Sequence, residues 1–261
     1  MIVRPGRRPV AIGARLKSRP EILTLGLRPD FTDYSPREQK RLLGAKNILY
    51  PTAFYADLFN AMGKQTFPSF HTYKFAQDKI RQSAIFAMQK IPHPRTRVFY
   101  TTNPQQDILA EFDFPFVAKA PRGSARGRGV FLIRNPGELT QYLSQHRPAY
   151  IQEYLPEDKD MRIIVIKGEV ALGFWRFSTD NEFRTNISMG GRIAFDPLPQ
   201  AALDLALTTA ARCGWDDVGI DIIEHRGGFF VLEGNMKYGT QGFQAAGMDY
   251  KRYLVDRILN F

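Results

Sequence analysis

The sequence predicts an α+β protein in two parts, a short α/β segment at residues 1–74 and a larger, hairpin-rich part at residues 75–261. In the first part, two strand patterns alternate with two helix patterns, which favours parallel pairing of the strands. A turn-rich, aromatic stretch follows at residues 63–73, and from about Val98 onward pairs of strands dominate. We therefore expect the domain boundary to lie within residues 63–73.

The first part contains two predicted strands, at residues 21–27 and 47–50. Ser35 is expected to cap a helix, because Glu38 stands three residues later and each side chain can bond the other's backbone amide. Residues 53–62 have the composition of a second helix, which ends at a glycine. These elements predict a small, mainly parallel sheet with helices packed against it.

The second part begins with a predicted helix at residues 74–89, whose apolar stripe would consist of Ile80, Ala84, Ile85 and Met88. Two further helices are predicted at residues 135–145 and 200–213. Short runs rich in β-branched and aromatic residues predict strands at residues 114–118, 130–133, 149–153, 162–166, 170–174, 219–223 and 229–233.

The composition is that of a globular protein. Of the 261 residues, 44% are hydrophobic and 24% are charged, which allows one large core or two modest ones. No apolar run approaches the roughly 18 residues needed to cross a bilayer, so we expect no membrane span. No apolar segment follows the N-terminal arginines, and the single cysteine, Cys213, excludes an internal disulfide. A cytoplasmic location is the expectation.

The net charge of +10, from 36 Lys and Arg against 26 acids, favours anionic partners such as nucleotides, acidic peptides or nucleic acid. Charge alone does not choose among these partners. Nucleic acid ranks last, because the sequence has neither zinc-ligand spacing nor an RNA-binding signature.

A glycine-rich loop, residues 120–129, connects the predicted strands around Lys119 and residues 130–133. Glycine lets backbone amides approach phosphate oxygens closely. The loop has no Gly-Lys-Ser/Thr ending and no helix follows it, which excludes a Walker A loop and a dinucleotide fingerprint. A flap that covers a triphosphate and a plain surface hairpin both stay open. The candidate phosphate-contacting residues of this flap are Gly123, Ser124, Gly127 and Gly129, and the roles of Arg122, Arg126 and Arg128 stay undecided.

Two carboxylates are predicted to face each other across a hairpin. If the turn centres near Gly227, Asp221 lies opposite Glu233, and Asn235 projects to the same side two residues on. Like charges directly across a ladder destabilise it unless a cation lies between them. Two carboxylates and an amide oxygen are ligands that suit Mg²⁺. In the alternative reading, Asp221 faces solvent and Glu233 merely ends a strand.

Several short motifs occur in a fixed order along the second part. They are Gln77-Asp78-Lys79, Gln152-Glu153-Tyr154-Leu155, Asp160-Met161-Arg162, Phe183-Arg184-Thr185-Asn186 before Gly190-Gly191, and the carboxylate hairpin. Together they resemble the ATP-grasp superfamily over residues 75–261, in particular the branch of the ribosomal protein S6 glutamate ligase (RimK-type). The resemblance implies an ATP-grasp fold with a flap-bearing subdomain at about 95–152 and a metal-binding subdomain at about 153–261.

The resemblance also implies roles for individual residues. Lys79 and Lys119 would contact nucleotide phosphates, and Arg184 would stabilise an acyl phosphate and the tetrahedral intermediate. A magnesium site, with Mn²⁺ as the alternative ion and two ions expected, would be formed by Asp221, Glu233 and Asn235. The adenine hinge and the other nucleotide contacts would come from Gln152, Glu153, Tyr154, Leu155, Asp160, Arg162 and Asn186.

The implied activity is a carboxylate–amine ligase that uses ATP and releases ADP and phosphate. Its substrates would be small, an amino acid or a peptide, and the chain would need no membrane. A small-molecule kinase and a non-catalytic ATP-binding protein are the alternatives, and the oligomeric state stays open, a homo-oligomer included.

Overall fold

The computed structural model describes residues 8–75, 78–122, 129–179, 185 and 191–259. In these ranges the strands form three sheets, one of them in the first part of the chain and two in the second. Within the same ranges, every helix is too short or too polar to span a lipid bilayer.

The first sheet is parallel throughout and has the strand order β2-β1-β3-β4. Ser35 and Glu38 form the predicted capping box. The stretch expected to contain the domain boundary instead holds the last strand and a short helix, and the boundary itself stays a prediction. The elements are β1 (Val10–Ala11), β2 (Leu23–Thr24), α1 (Pro36–Gly44), β3 (Asn47–Leu49), α2 (Thr52–Ala61), β4 (Gln65–Phe67) and α3 (Phe70–Phe75).

The helix predicted at residues 74–89 begins later, because Asp78 caps it and accepts from the backbone amide of Arg81. The resulting helix is α4 (Lys79–Met88). Its predicted apolar stripe was wrong at Met88, which is 79% exposed, although Ile85 packs against the core. The fully buried residues of this helix are Gln82 and Phe86. Gln82 is buried because its amide bonds the backbone of another element, a tertiary contact that helical periodicity does not reveal.

The second sheet is antiparallel and has the order β5-β8-β6-β7. Two helices cover one face and complete its apolar core. The elements are β5 (Thr96–Phe99), α5 (Gln105–Glu111), β6 (Phe116–Lys119), β7 (Val130–Ile133), α6 (Pro136–Gln145) and β8 (Ala149–Glu153).

The third sheet is antiparallel and has the order β11-β10-β9-β12-β13, so that β13 is an outer strand. The helix predicted at residues 200–213 is present with those bounds. The elements are β9 (Lys159–Ile166), β10 (Glu169–Phe177), β11 (Arg192–Ala194), α7 (Gln200–Cys213), β12 (Asp217–His225), β13 (Gly228–Asn235), α8 (Gln241–Ala245) and α9 (Tyr250–Leu259).

A buried ion pair joins the first part of the chain to the third sheet. The guanidinium of Arg15 lies 3.3 Å from the carboxylate of Asp217, which is fully buried. The hydroxyls of Tyr50 and Tyr238 donate to the same carboxylate at 2.9 and 2.6 Å, and Arg15 also donates to the Tyr250 hydroxyl. These five side chains form the Arg15–Asp217 cluster, which attaches the N-terminal sheet next to the segment that follows β13.

Candidate active site

One face of the third sheet changes from apolar to charged along the strands. Ile164 and Ile166 of β9 lie in a core shared with the N-terminal sheet. Alternation along the strand places Asp160 and Arg162 on the same face, nearer its other end. The neighbouring strands extend this charged region with Arg176, Asp221, Glu233 and Asn235.

Asp221 and Glu233 are register partners across β12 and β13, as predicted. The hairpin has a two-residue loop that includes Gly227, whose φ is 76°. Uninterrupted pairing from this loop would place Leu232 opposite Asp221. A bulge between the pairs of Asp221 and Ile222 shifts the register by one residue and brings Glu233 there instead. Asn235 follows on the same face.

The Glu233 carboxylate lies among cationic side chains. The Nζ of Lys79 is 3.6 Å from its Oε2, and the amide of Asn235 donates to its Oε1 at 2.7 Å. Burial disfavours the charged form, but Lys79, Lys119 and the Asn235 hydrogen bond outweigh it and lower the pKa of Glu233 to about 2. The carboxylate is therefore ionised at neutral pH, as a metal ligand must be.

Lys119 ends β6 with its side chain only 7% exposed. Burial lowers the pKa of Lys119 to about 8, with Glu233 opposing the shift and Lys79 adding to it. Two lysines from different elements thus converge on one carboxylate. The three groups carry a net positive charge, which suits the phosphates of a nucleotide.

Asp221 is held by two arginines. Arg162 donates from Nε and Nη2 to its two oxygens, and Nη2 of Arg176 lies 3.1 Å from Oδ2. Arg176 also makes a bidentate pair with Asp160 at 2.7 and 2.6 Å, and the Thr185 hydroxyl donates to Asp160. The two acids and two arginines balance in charge, so this buried network fixes the direction of each carboxylate.

The first residues of the glycine-rich loop are attached to the start of α4. The backbone amide of Lys79 donates to the carbonyl of Pro121, and Arg122 pairs with the Asp78 carboxylate at 3.2 Å. The backbone amide of Ala120 donates to the carbonyl of Gly129 and so joins the two ends of this loop, residues 120–129. The geometry therefore links Lys79 to the strand that carries Lys119.

The predicted hinge spans the last two residues of β8 and the two residues that follow the strand. Gln152 is buried and bonds a threonine hydroxyl of β5, while the backbone amide of Glu153 donates to the carbonyl of Arg95. The side chain of Glu153 accepts from the Arg95 amide in return. Tyr154 and Leu155 come next, between β8 and β9. Their contact with adenine stays a prediction, and the Glu153 amide is already engaged within the protein.

A family model for the RimK-like ATP-grasp domain matches residues 76–258, about the whole region that carries these side chains. The chain belongs to the RimK-like ATP-grasp family. The resemblance inferred from the sequence motifs is thereby confirmed.

Relatives of this RimK-like chain are named as ligases or synthases. It is 35% identical over 161 residues to beta-citrylglutamate synthase B of Danio rerio, a match that covers 59% of this chain but only 40% of that protein. It is 28% identical over 238 residues to a probable alpha-L-glutamate ligase of Enterobacter sp. (strain 638), covering 88% of this chain and 77% of the relative.

The solved structure of D-alanine–D-alanine ligase from Bacillus anthracis, complexed with ATP, superposes on the chain with a TM-score of 0.71. The match covers 95% of this chain and 94% of the other at 13% identity. Identity this low supports the fold alone, and it confirms the predicted ATP-grasp architecture of helices and sheets.

Some residues predicted from the motifs lie outside the described part of the RimK-like chain. The roles of these residues stay predictions. They are Gly123, Ser124, Arg126, Gly127, Arg128, Arg184 and Asn186.

The sequence motifs did not point to Arg176, which contacts both Asp160 and Asp221. An arginine among apolar residues of a strand resembles a solvated position, and only the register of β9 with β10 pairs it with Asp160. The motifs likewise missed Gln82, which lies three residues after Lys79 on α4. The three-residue spacing from Lys79, which places both side chains on one face of the helix, was the available signal in the sequence.

The residues present fit a divalent cation of the magnesium type. Glu233 is anionic, Asp221 stands opposite, and because the Asn235 nitrogen bonds Glu233, its carboxamide oxygen is the atom available to a cation. Among the described residues, no three His, Cys, Asp or Glu side chains cluster closely enough to form a metal site. Oxygens of a bound nucleotide would complete the coordination, as is usual for Mg²⁺ shared with phosphates.

We expect ATP binding to weaken as the pH rises through about 8, because the buried Lys119 loses its proton there. The sign follows from burial, which favours the neutral amine and lowers the pKa from its usual 10.5. The measurement is KM for ATP from about pH 6.5 to 9.5. Lys119→Arg is the control, since its guanidinium stays charged and should remove the rise above pH 8. The same alkaline rise in both proteins would contradict the assignment.

Proposed function

We propose that this protein is an ATP- and Mg²⁺-dependent ligase that joins a carboxylate to an amine. The observation that carries the proposal is the opposed pair Asp221 and Glu233, with Lys79 and Lys119 converging on Glu233. Membership of the RimK-like family and the ligase names of its relatives support the same reaction class.

In this proposal, Lys79 and Lys119 bind the phosphates of ATP, and Asp221, Glu233 and Asn235 hold the metal. When bound, the metal would neutralise charge on the phosphate oxygens. Phosphoryl transfer depends on alignment and charge neutralisation more than on covalent chemistry by the protein. Arg162 and Arg176 maintain the direction of Asp221 through their hydrogen bonds.

The proposed reaction has two steps. An oxygen of the substrate carboxylate attacks the γ-phosphorus, the bond to the β-phosphate oxygen breaks, and ADP leaves with an acyl phosphate formed. The amine nitrogen then attacks the acyl carbon, phosphate leaves, and the nitrogen loses a proton to give the amide. No serine or cysteine nucleophile is needed for either step.

The substrates proposed are an amino acid or a short peptide. L-glutamate is the first amine to test, because relatives are named as glutamate ligases and a citrylglutamate synthase. The chain has 36 basic and 26 acidic residues, and this excess of positive charge is compatible with acidic substrates.

The test is incubation with Mg-ATP and pooled amino acids, dicarboxylic acids and short peptides, with nucleotides and new masses read together. We expect ADP and a product equal in mass to two substrates minus water. A phosphorylated product without condensation would indicate a kinase, and ATP binding without any product from this pool would favour a nucleotide-binding protein. AMP in place of ADP would exclude the acyl-phosphate route.

Arg184 is the residue proposed to stabilise the acyl phosphate and the tetrahedral intermediate. We expect Arg184→Ala to reduce kcat by about a hundredfold or more, as loss of one oxyanion donor does, with ATP affinity little changed. Single-turnover ADP formation and equilibrium ATP binding separate the two effects. Unchanged turnover would remove Arg184 from the mechanism, and Arg192→Ala, on strand β11, is the matched surface control.

A further inference from the structure

The backbone of Gly234 is bonded on the outer side of the third sheet by a side chain. Gly234 separates Glu233 from Asn235 in β13, an outer strand of the sheet. Among the residues that the structure describes, no further strand pairs with the alternate amides and carbonyls on its outer side. The side chain of Gln82 takes that place. Its Nε2 donates to the Gly234 carbonyl and its Oε1 accepts from the Gly234 amide, both at 2.9 Å.

This contact is buried and specific. Gln82 is only 4% exposed, and its Nε2 also donates to the carbonyl of Phe75. The indole of Trp215 packs against the face of Gly234, so closely that the Cβ of any other residue at this position would lie 2.4 Å from the ring. Gly234 is therefore held by hydrogen bonds along one edge and by an aromatic ring against its face, which leaves it little freedom to shift.

The same helix carries a charge partner of the site. Lys79, one turn before Gln82 on α4, lies 3.6 Å from Glu233. Helix α4 thus contacts β13 at two points, by charge at Glu233 and by paired hydrogen bonds at Gly234. A displacement of either element would change the distance between Lys79 and the carboxylate.

We infer that Gln82 is a positioning residue that fixes Glu233 and Asn235 relative to Lys79, so that both can hold the metal of bound Mg-ATP. The inference deepens the proposed function and rests on it for the role of the metal. A glutamine with only a structural role would contribute to stability and leave metal-dependent nucleotide binding unchanged.

Gln82→Met tests the inference, because it keeps the length and volume of the side chain and removes its three hydrogen bonds, two with Gly234 and one to Phe75. Tyr34→Phe is the matched control: its buried hydroxyl also donates to one carbonyl and accepts from one amide, at Gly26 and Arg28, within the N-terminal sheet region.

The first readout is amide hydrogen exchange of peptides covering β13, which needs no nucleotide. We expect Gln82→Met to accelerate exchange around Gly234 by about tenfold, and Tyr34→Phe to leave it unchanged. Unchanged exchange around Gly234 in Gln82→Met would overturn the inference whatever the protein binds.

The second readout is binding followed by fluorescence of Trp215, which contacts Gly234, in a Trp175→Phe background that leaves a single tryptophan. We expect Gln82→Met to weaken Mg-ATP binding about 10–100-fold, as loss of an outer-shell partner of a metal site does, and to change metal-free ATP binding far less. If Gln82→Met weakens Mg-ATP binding and metal-free ATP binding equally, the inference is overturned. It is also overturned if Gln82→Met, like Tyr34→Phe, lowers thermal stability and leaves both kinds of binding unchanged. If the parent protein itself fails to bind Mg-ATP, the proposed function fails, and the exchange result still decides whether Gln82 fixes β13.

Discussion

Glu233→Gln should reduce ligase turnover by about a thousandfold, because a metal's charge stabilisation is worth several kcal/mol and each 1.4 kcal/mol is a factor of ten. Glutamine preserves the shape but removes the negative charge that faces Lys79 and Lys119. Those two lysines then lack their counter-ion and still attract phosphate. We therefore expect metal-free ATP binding to persist while Mg²⁺-dependent turnover is lost, and measurement of both separates this variant from a misfolded one.

Glu224→Gln is the control, since Glu224 lies in the same hairpin but near the loop, where it pairs with Phe229. Glu224 is half-buried and lies outside the charged region, so its substitution should leave turnover within about twofold of wild type. Wild-type turnover in Glu233→Gln, or an equal loss in the two variants, would contradict the metal-binding role of Glu233.

Arg15→Ala should lower the free energy of unfolding by about 3 kcal/mol, because it leaves the buried Asp217 carboxylate without its cation. The estimate is at the low end for such pairs because the hydroxyls of Tyr50 and Tyr238 still donate to Asp217. For a chain of this size the loss corresponds to a fall in Tm of roughly 6–12 °C. Thermal and urea unfolding measure it.

Two comparisons make the stability prediction specific. Arg252→Ala removes an exposed pair with Asp256 and should lower the free energy of unfolding far less than Arg15→Ala, because solvent screens exposed pairs. Adding Asp217→Asn to Arg15→Ala should recover part of the loss, because the neutral amide needs no counter-ion. A loss in Arg15→Ala no larger than in Arg252→Ala would show that the Arg15–Asp217 cluster does not stabilise the protein.

The carboxylate pair shows how much of the site the sequence contains. Apolar runs on both sides of a glycine turn were enough to place Asp221 near Glu233. The actual register depends on a bulge beside Leu232, and a turn of two residues alone would have paired Leu232 with Asp221. The predicted pairing of Asp221 with Glu233 was confirmed, but it depends on a bulge that no local sequence pattern indicates.

The site residues that the sequence did not predict have a common physical cause. Gln82 and Arg176 are polar residues whose burial depends on partners far away in the sequence, at Gly234 and Asp160. Periodicity sorts residues by average hydrophobicity, so it assigned the apolar stripe of α4 to Met88, which is exposed. Family motifs supplied the proposed ligand set because they encode such long-range partners indirectly.

The N-terminal sheet illustrates the same limit at short range. Its strands are only two or three residues long, as in β1 and β4, too short for a pattern of period two. The capping box at Ser35 was predictable because all its atoms lie within four residues. Local hydrogen bonds can be predicted from the sequence, whereas sheet edges and domain contacts require the fold.

The measurement that tests the central claim most directly is transfer of ¹⁸O from the acid substrate found in the pooled incubation. Its carboxylate is labelled with ¹⁸O, and the phosphate released with ADP is analysed by mass spectrometry. Activation as an acyl phosphate predicts one ¹⁸O atom in each phosphate, because the attacking carboxylate oxygen stays on phosphorus. Unlabelled phosphate would contradict the account and show that the carboxylate never attacks ATP.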